Sequence, residues 1–129
     1  MKTNFKLALT ADFYRDGNLL YRDIGLDRLD AEPGVSWHAL EQHQPLLGAD
    51  QLAGVNGVIV LTPKVDAATV AAADDLLALV RFGVGYDSVD VQACTQAGVL
   101  ACITAGAVDR SVAEATVGWM LALTHQVKA

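Results

Sequence analysis

The sequence predicts an α/β domain built on a five-stranded parallel sheet. Three observations carry this. Short apolar runs recur at Phe5–Thr10, Val35–Leu40, Gly57–Leu61, Leu77–Phe82 and Val99–Ile103. Between them lie segments of helical character at Leu19–Leu29, Ala49–Leu52, Ala67–Ala73 and Val89–Ala97, and alternation at this spacing gives βαβ units. The runs "VNGVIVLT" and "GVLACIT" are apolar without alternation, as in strands covered on both faces.

The elements follow in order. In "MKTNFKLALTADFY" a short apolar run meets Asp12 at once, so the stretch reads as a first strand and not a secretion signal. Pro33-Gly34 stops the first helical segment before the second strand, and Gly98 stops the fourth before the last. No repeat or low-complexity segment divides the chain. Its 129 residues suit one domain. A chain of this length buries roughly two-thirds of its unfolded surface, enough to fold without disulfides or metal.

Composition excludes several classes. At 53% hydrophobic the chain is not a disordered tail. The net charge is −6 and no Lys/Arg run occurs, so nucleic acid is not an expected partner. No apolar stretch approaches the ~20 residues of a membrane helix. Cys94 and Cys102 have neither metal spacing nor a C-x-x-C arrangement, and read as small buried hydrophobes in a reducing cytoplasm. His38, His43 and His125 stand singly, so no metal site is expected.

The tail "DRSVAEATVGWMLALTHQVKA" is one long helix candidate. Ser111 and Glu114 form S-x-x-E, the signature of a capping box. From Ser111 to Lys128 such a helix is about 27 Å long at ~1.5 Å per residue. Val112, Val117, Trp119, Met120, Leu121 and Leu123 leave almost no polar face, and a helix apolar all round expects neighbours on more than one side. Trp119 and Met120 read as core or interface residues.

The stretch "RFGVGYDSVD", Arg81 to Asp90, carries the chemistry. Gly83 and Gly85 let the backbone turn sharply after a strand and approach a ligand closely. Asp87 or Ser88 is placed to cap the following helix. Free N–H groups between a strand end and a helix start make an anion site. The pattern is G-x-G-x-x-S, one glycine short of the dinucleotide fingerprint, and three features oppose that reading. The loop follows the fourth strand, the third glycine is Ser88, and the helix after it has about two turns. Asp109 lies at the distance of a ribose-binding acid but follows the next strand's loop. A small carboxylate fits better.

At these residues the chain resembles the D-isomer-specific 2-hydroxyacid dehydrogenases. The G-x-D-x-[VI]-D loop at Gly85, Asp87, Val89 and Asp90, and the T-x-G-x(4)-S-V-A-E block from Thr104 to Glu114, carry the resemblance. It covers residues 57–127 well and residues 1–56 only in element order. The resemblance implies a flavodoxin-like, doubly wound substrate-binding domain over residues 1–108 and an interdomain helix over 109–129. A separate Rossmann domain, which binds NAD or NADP, is absent from these residues. It implies that the backbone N–H groups of Val84 and Gly85 hold the carboxylate of a small 2-hydroxy or 2-oxo acid, and that the helix start near Val112 approaches the nicotinamide. The family's catalytic Arg, Glu and His fall in or after the Rossmann domain. The chain alone is therefore expected to contain no catalytic residue, hold no cofactor and turn nothing over. Ala105 stands where the family often has proline, and Ala115 where His is common.

Other readings stay beside this one. Glu114 reads as a cap before an acid catalyst, Asp74-Asp75 as a solvated turn, and Arg110 as a solvated cation within reach of Thr104–Gly106. A flavodoxin-like non-catalytic binding module is the alternative, but a receiver module wants an Asp where the third strand ends Leu61-Thr62-Pro63. A flavin module wants aromatic residues beside the loops, where only Tyr86 stands. The apolar tail helix predicts a homodimer, by pairing or by exchange of that helix.

Overall fold

The structure, a computed structural model, describes residues 4–127. Strands β1 (Phe5–Leu9), β4 (Val35–Ala39), β5 (Gly57–Val60), β6 (Ala78–Arg81) and β7 (Leu100–Ile103) form one sheet in the order β4-β1-β5-β6-β7. Every pairing in it is parallel. Two short strands, β2 (Tyr14–Arg15) and β3 (Asn18–Leu19), pair antiparallel as a hairpin. Helices α1 (Leu26–Ala31), α2 (Ala67–Ala71), α3 (Val91–Ala97) and α4 (Asp109–Thr124) complete the chain, with 3₁₀ turns at Ala11–Phe13 and Ala49–Leu52. This is the flavodoxin-like doubly wound order, in which connections leave the first strand in opposite directions.

The reversal divides the core. Ala8, Val58, Val60 and Leu79 point to one face, where Leu52, Val70, Cys94 and Val99 meet them from the 3₁₀ turn, α2, α3 and the approach to β7. Leu9, Trp37 and Ile59 point to the other, against Phe13, Leu19, Ile24 and Leu26. The five strands lie within a residue or two of the predicted runs.

Three expectations fail locally. The segment Leu19–Leu29 is not one helix. Asp16 and Gly17 take positive φ of 50° and 77°, the two-residue turn that closes β2 on β3, and α1 begins only after Gly25 at φ 75°. Asp-Gly is a hairpin signal, and it outweighs the helical spacing downstream. Helix α3 is capped by neither Asp87 nor Ser88: the Asp90 carboxylate accepts from Ala93 N–H at 2.8 Å.

The capping box at Ser111 does not form. Helix α4 starts at Asp109, so Ser111 is already its third residue and donates its hydroxyl to the Val108 carbonyl at 3.0 Å, while Glu114 takes Arg110 at 2.7 Å. The turn at Thr104–Ala107 leads directly into the helix and shifts the start two residues upstream. The predicted end at Lys128 lies outside the described residues. No residue of α4 is buried.

Candidate carboxylate site

In a doubly wound sheet, ligands lie beyond the carboxyl ends of the strands, where connections diverge from a pair of neighbours. Here those neighbours are β1 and β5. Their ends are tied together. The buried Thr10 hydroxyl accepts from Leu61 N–H at 3.1 Å. The Asp12 carboxylate accepts from Thr62 N–H at 2.9 Å and from its hydroxyl. The second Asp12 oxygen is buried with no partner among the described residues.

The next strand end, β6, is fastened to this pair by aromatic rings. Phe13 stands edge-on to Phe82 with centroids 5.2 Å apart, and Tyr21 lies 5.4 Å from Phe82. Phe13 is buried, so the wedge cannot move without opening the core. Phe82 immediately precedes Gly83-Val84-Gly85, whose position is therefore set by packing. On the far side, Thr104 N–H donates to the Gly83 carbonyl at 2.9 Å, tying the loop to the end of β7.

Gly83 has φ 151°, a conformation L side chains seldom adopt, and the Arg81 guanidinium occupies the space a Cβ there would need. Arg81 also donates to the Phe82 carbonyl, while its Nε is buried without a partner among the described residues. The N–H groups of Val84 and Gly85 donate to no acceptor among the described residues, and both residues are exposed. The loop thus presents two unspent donors beside a guanidinium that is held in place. That arrangement suits a small anion. From sequence, the carboxylate is assigned to the backbone N–H groups of Val84 and Gly85 alone. Arg81 adds a side-chain charge, because its side chain turns back toward Gly83, which strand alternation did not reveal.

The same geometry opposes a dinucleotide. The α3 N-terminus already holds the Asp90 carboxylate. The Ser88 carbonyl is bound to Val65 N–H at 2.8 Å, and α3 has seven residues. A pyrophosphate at this turn would meet carboxylates where it needs donors. The residues present do not fit that cofactor.

The remaining singled-out residues are not gathered into the site. Val112 is 58% exposed on α4. Arg110 pairs with Glu114 in an exposed contact and makes no hydrogen bond to Thr104–Gly106 among the described residues. His38, His43 and His125 are exposed, as are Asp74 and Asp75 in their turn, and no metal-binding cluster exists among the described residues. Cys94 is buried and Cys102 half-buried, both free. Burial first, and the Asp90 carboxylate second, push the Cys94 thiol up. At the α2 start, Thr69 N–H and then its hydroxyl hold the Asp66 carboxyl below its usual range. Missed by sequence were Asp12 and Thr62, whose pairing bridges 50 residues and leaves no local signal.

Known proteins share this fold and part of this sequence. The model of the D-isomer specific 2-hydroxyacid dehydrogenase catalytic domain matches residues 22–128. A glyoxylate reductase of Thermofilum pendens is 37% identical over 67 residues, 52% of this chain and 20% of that protein. A D-3-phosphoglycerate dehydrogenase of Methanocaldococcus jannaschii is 28% identical over 122 residues, 95% of this chain and 22% of that protein. The fold is also that of the NAD+-bound 3-phosphoglycerate dehydrogenase of Entamoeba histolytica, with TM-score 0.67 at 22% identity, covering 93% of this chain and 39% of that one. The chain's matches span between 12% and 22% of the length of its curated relatives.

Proposed function

The chain belongs to the D-isomer specific 2-hydroxyacid dehydrogenase family, and from that premise we propose that it is the substrate-binding part of such an enzyme. Its substrate is a small 2-hydroxy or 2-oxo acid. The carboxylate accepts from Val84 and Gly85 N–H, with Arg81 adding charge from the side. The observation that carries this is the pair of unspent N–H donors at the end of β6, beside Arg81 and the β1–β5 divergence. Two backbone donors and one cation fix a carboxylate in direction as well as place, which orients the adjoining C2 carbon.

NAD or NADP supplies the hydride chemistry when a Rossmann domain holds it. In this reading residues 109–129, which include α4, bridge residues 1–108 to that domain, and Val112 faces the nicotinamide. The general acid/base and the second carboxylate-orienting Arg also come from there. These 129 residues alone bind the acid weakly, hold no cofactor and turn nothing over. The apolar surface of α4 joins two chains as a homodimer. Reduced Cys94 and Cys102 suit a cytoplasmic setting. No helix among the described residues is long and apolar enough to cross a membrane.

Calorimetric titration tests the proposal. Oxalate, a planar stand-in for a 2-oxo acid, is expected to bind saturably, while NADH gives no heat. NADH binding to the isolated chain, or oxidation of NADH with glyoxylate, overturns the division of labour.

A further inference from the structure

We propose that Asp12 restricts this site to acids carrying a single negative charge, and excludes those with a phosphate or a second carboxylate beyond C2. The inference rests on the carboxylate site proposed above and narrows its substrate class.

The direction of the bound acid sets what its far end meets. In that site the carboxylate lies past the end of β6, at Val84 and Gly85. The crevice of a doubly wound sheet opens where neighbouring strands diverge, here over the ends of β1 and β5. An acid anchored at β6 therefore extends its C3 end toward Asp12 and Thr62. The span is short. Phe13, next after Asp12, packs on Phe82 with ring centroids 5.2 Å apart, and Phe82 immediately precedes Gly83.

No cation offsets Asp12. One of its oxygens accepts from Thr62 N–H and from the Thr62 hydroxyl, and both donors are neutral. The other oxygen is enclosed by the protein itself. Arg15 and Lys64, the cations nearest in sequence to Asp12 and Thr62, are exposed, and neither forms an ion pair with it. Both oxygens are thus taken up within the described residues, and the charge stands at the strand ends without compensation there.

The two ends of the site therefore differ in sign. Arg81 answers the first negative charge of the acid, whereas Asp12 faces whatever lies beyond C2. A phosphate there brings close to two further negative charges. At the effective dielectric near a protein surface, repulsion over several ångströms weakens binding by about tenfold or more. Asp87 is the other carboxylate near the loop, its Oδ2 lying 4.0 Å from where a Cβ on Gly85 would stand. It sits at the end that all these acids share, so it opposes them equally and does not discriminate.

D-glycerate and 3-phospho-D-glycerate, which differ only by the phosphate, test this when titrated into the 15N-labelled chain and read at Val84 and Gly85. The unphosphorylated acid is expected to bind about tenfold more tightly, or better. Asp12→Asn keeps an acceptor for Thr62 N–H and removes the charge, so the ratio should fall to within about threefold. Asp12→Glu keeps the charge and should keep the ratio even where the clasp is disturbed. Asp87→Asn should raise the affinity for both acids alike. Equal affinities in the natural chain overturn the proposal, whatever Asp12→Asn does to folding. A ratio unchanged by Asp12→Asn, or moved as far by Asp87→Asn, overturns it as well. Oxalate has no group beyond C2 and is read in parallel. Silence of all three ligands at Val84 and Gly85 removes the carboxylate site and this inference with it, whereas oxalate binding beside a ratio near one overturns this inference alone.

Discussion

The two faces of one sheet differ. On the face closed by α2 and α3, Ala8, Val58 and Val60 are fully buried and Leu79 is 1% exposed. On the other, Leu7 and Leu9 of β1 are buried, Ile59 of β5 is half-buried, and Leu100 of β7 stands in solvent. The residue types are the same on both sides. An apolar run therefore specifies that a strand wants cover on two faces, and says nothing about which molecule provides it. The open half of the sheet and α4 both leave large apolar side chains exposed.

Substitutions sharpen that contrast. The largest effect is expected at Leu79→Ala, which opens a cavity in the closed face and should cost about 2–5 kcal/mol of unfolding free energy in urea. The same truncation at Leu100 should change monomer stability by less than about 0.5 kcal/mol, since little contact is lost. Equal losses at the two positions would mean that the faces do not differ as described.

Next is Arg81→Met, which keeps length and removes charge. Oxalate affinity should fall about tenfold, or ~1.4 kcal/mol, with the melting temperature little changed. Asp90→Ala removes the α3 cap from the closed face and should cost about 1 kcal/mol in the same urea assay. The smallest effect concerns thiols. Burial keeps Cys94 protonated through neutral pH, so iodoacetamide at pH 7.5 should modify Cys102 first. Labelling of Cys94 should follow only as pH rises past the ordinary thiol range, where its raised value delays the thiolate.

Much of the fold was legible in sequence because its signals are local. Strand runs such as Gly57–Val60, and Gly98 as the stop of α3, depend on neighbours a few residues away. The hairpin signal at Asp16-Gly17 is also local, but it competes with the helical spacing of Leu19–Leu29, and turn chemistry prevails in the structure. The carboxylate loop was legible as G-x-G after a strand. Its surroundings were not. The Asp12–Thr62 clasp and the Phe13–Phe82 wedge join residues 50 and 69 positions apart, which a single sequence does not record. The failed cap at Ser111 shows a third limit: S-x-x-E marks a helix start only if no earlier turn has already nucleated the helix.

The most direct test of the central claim is a titration of the 15N-labelled chain with oxalate, followed amide by amide. Saturable shifts are expected at Val84 and Gly85, smaller ones at Arg81 and Thr62, and none along α1 or β4. Silence at Val84 and Gly85, with shifts gathered instead at Asp90 and α3, would contradict it and assign the anion to a different part of the fold.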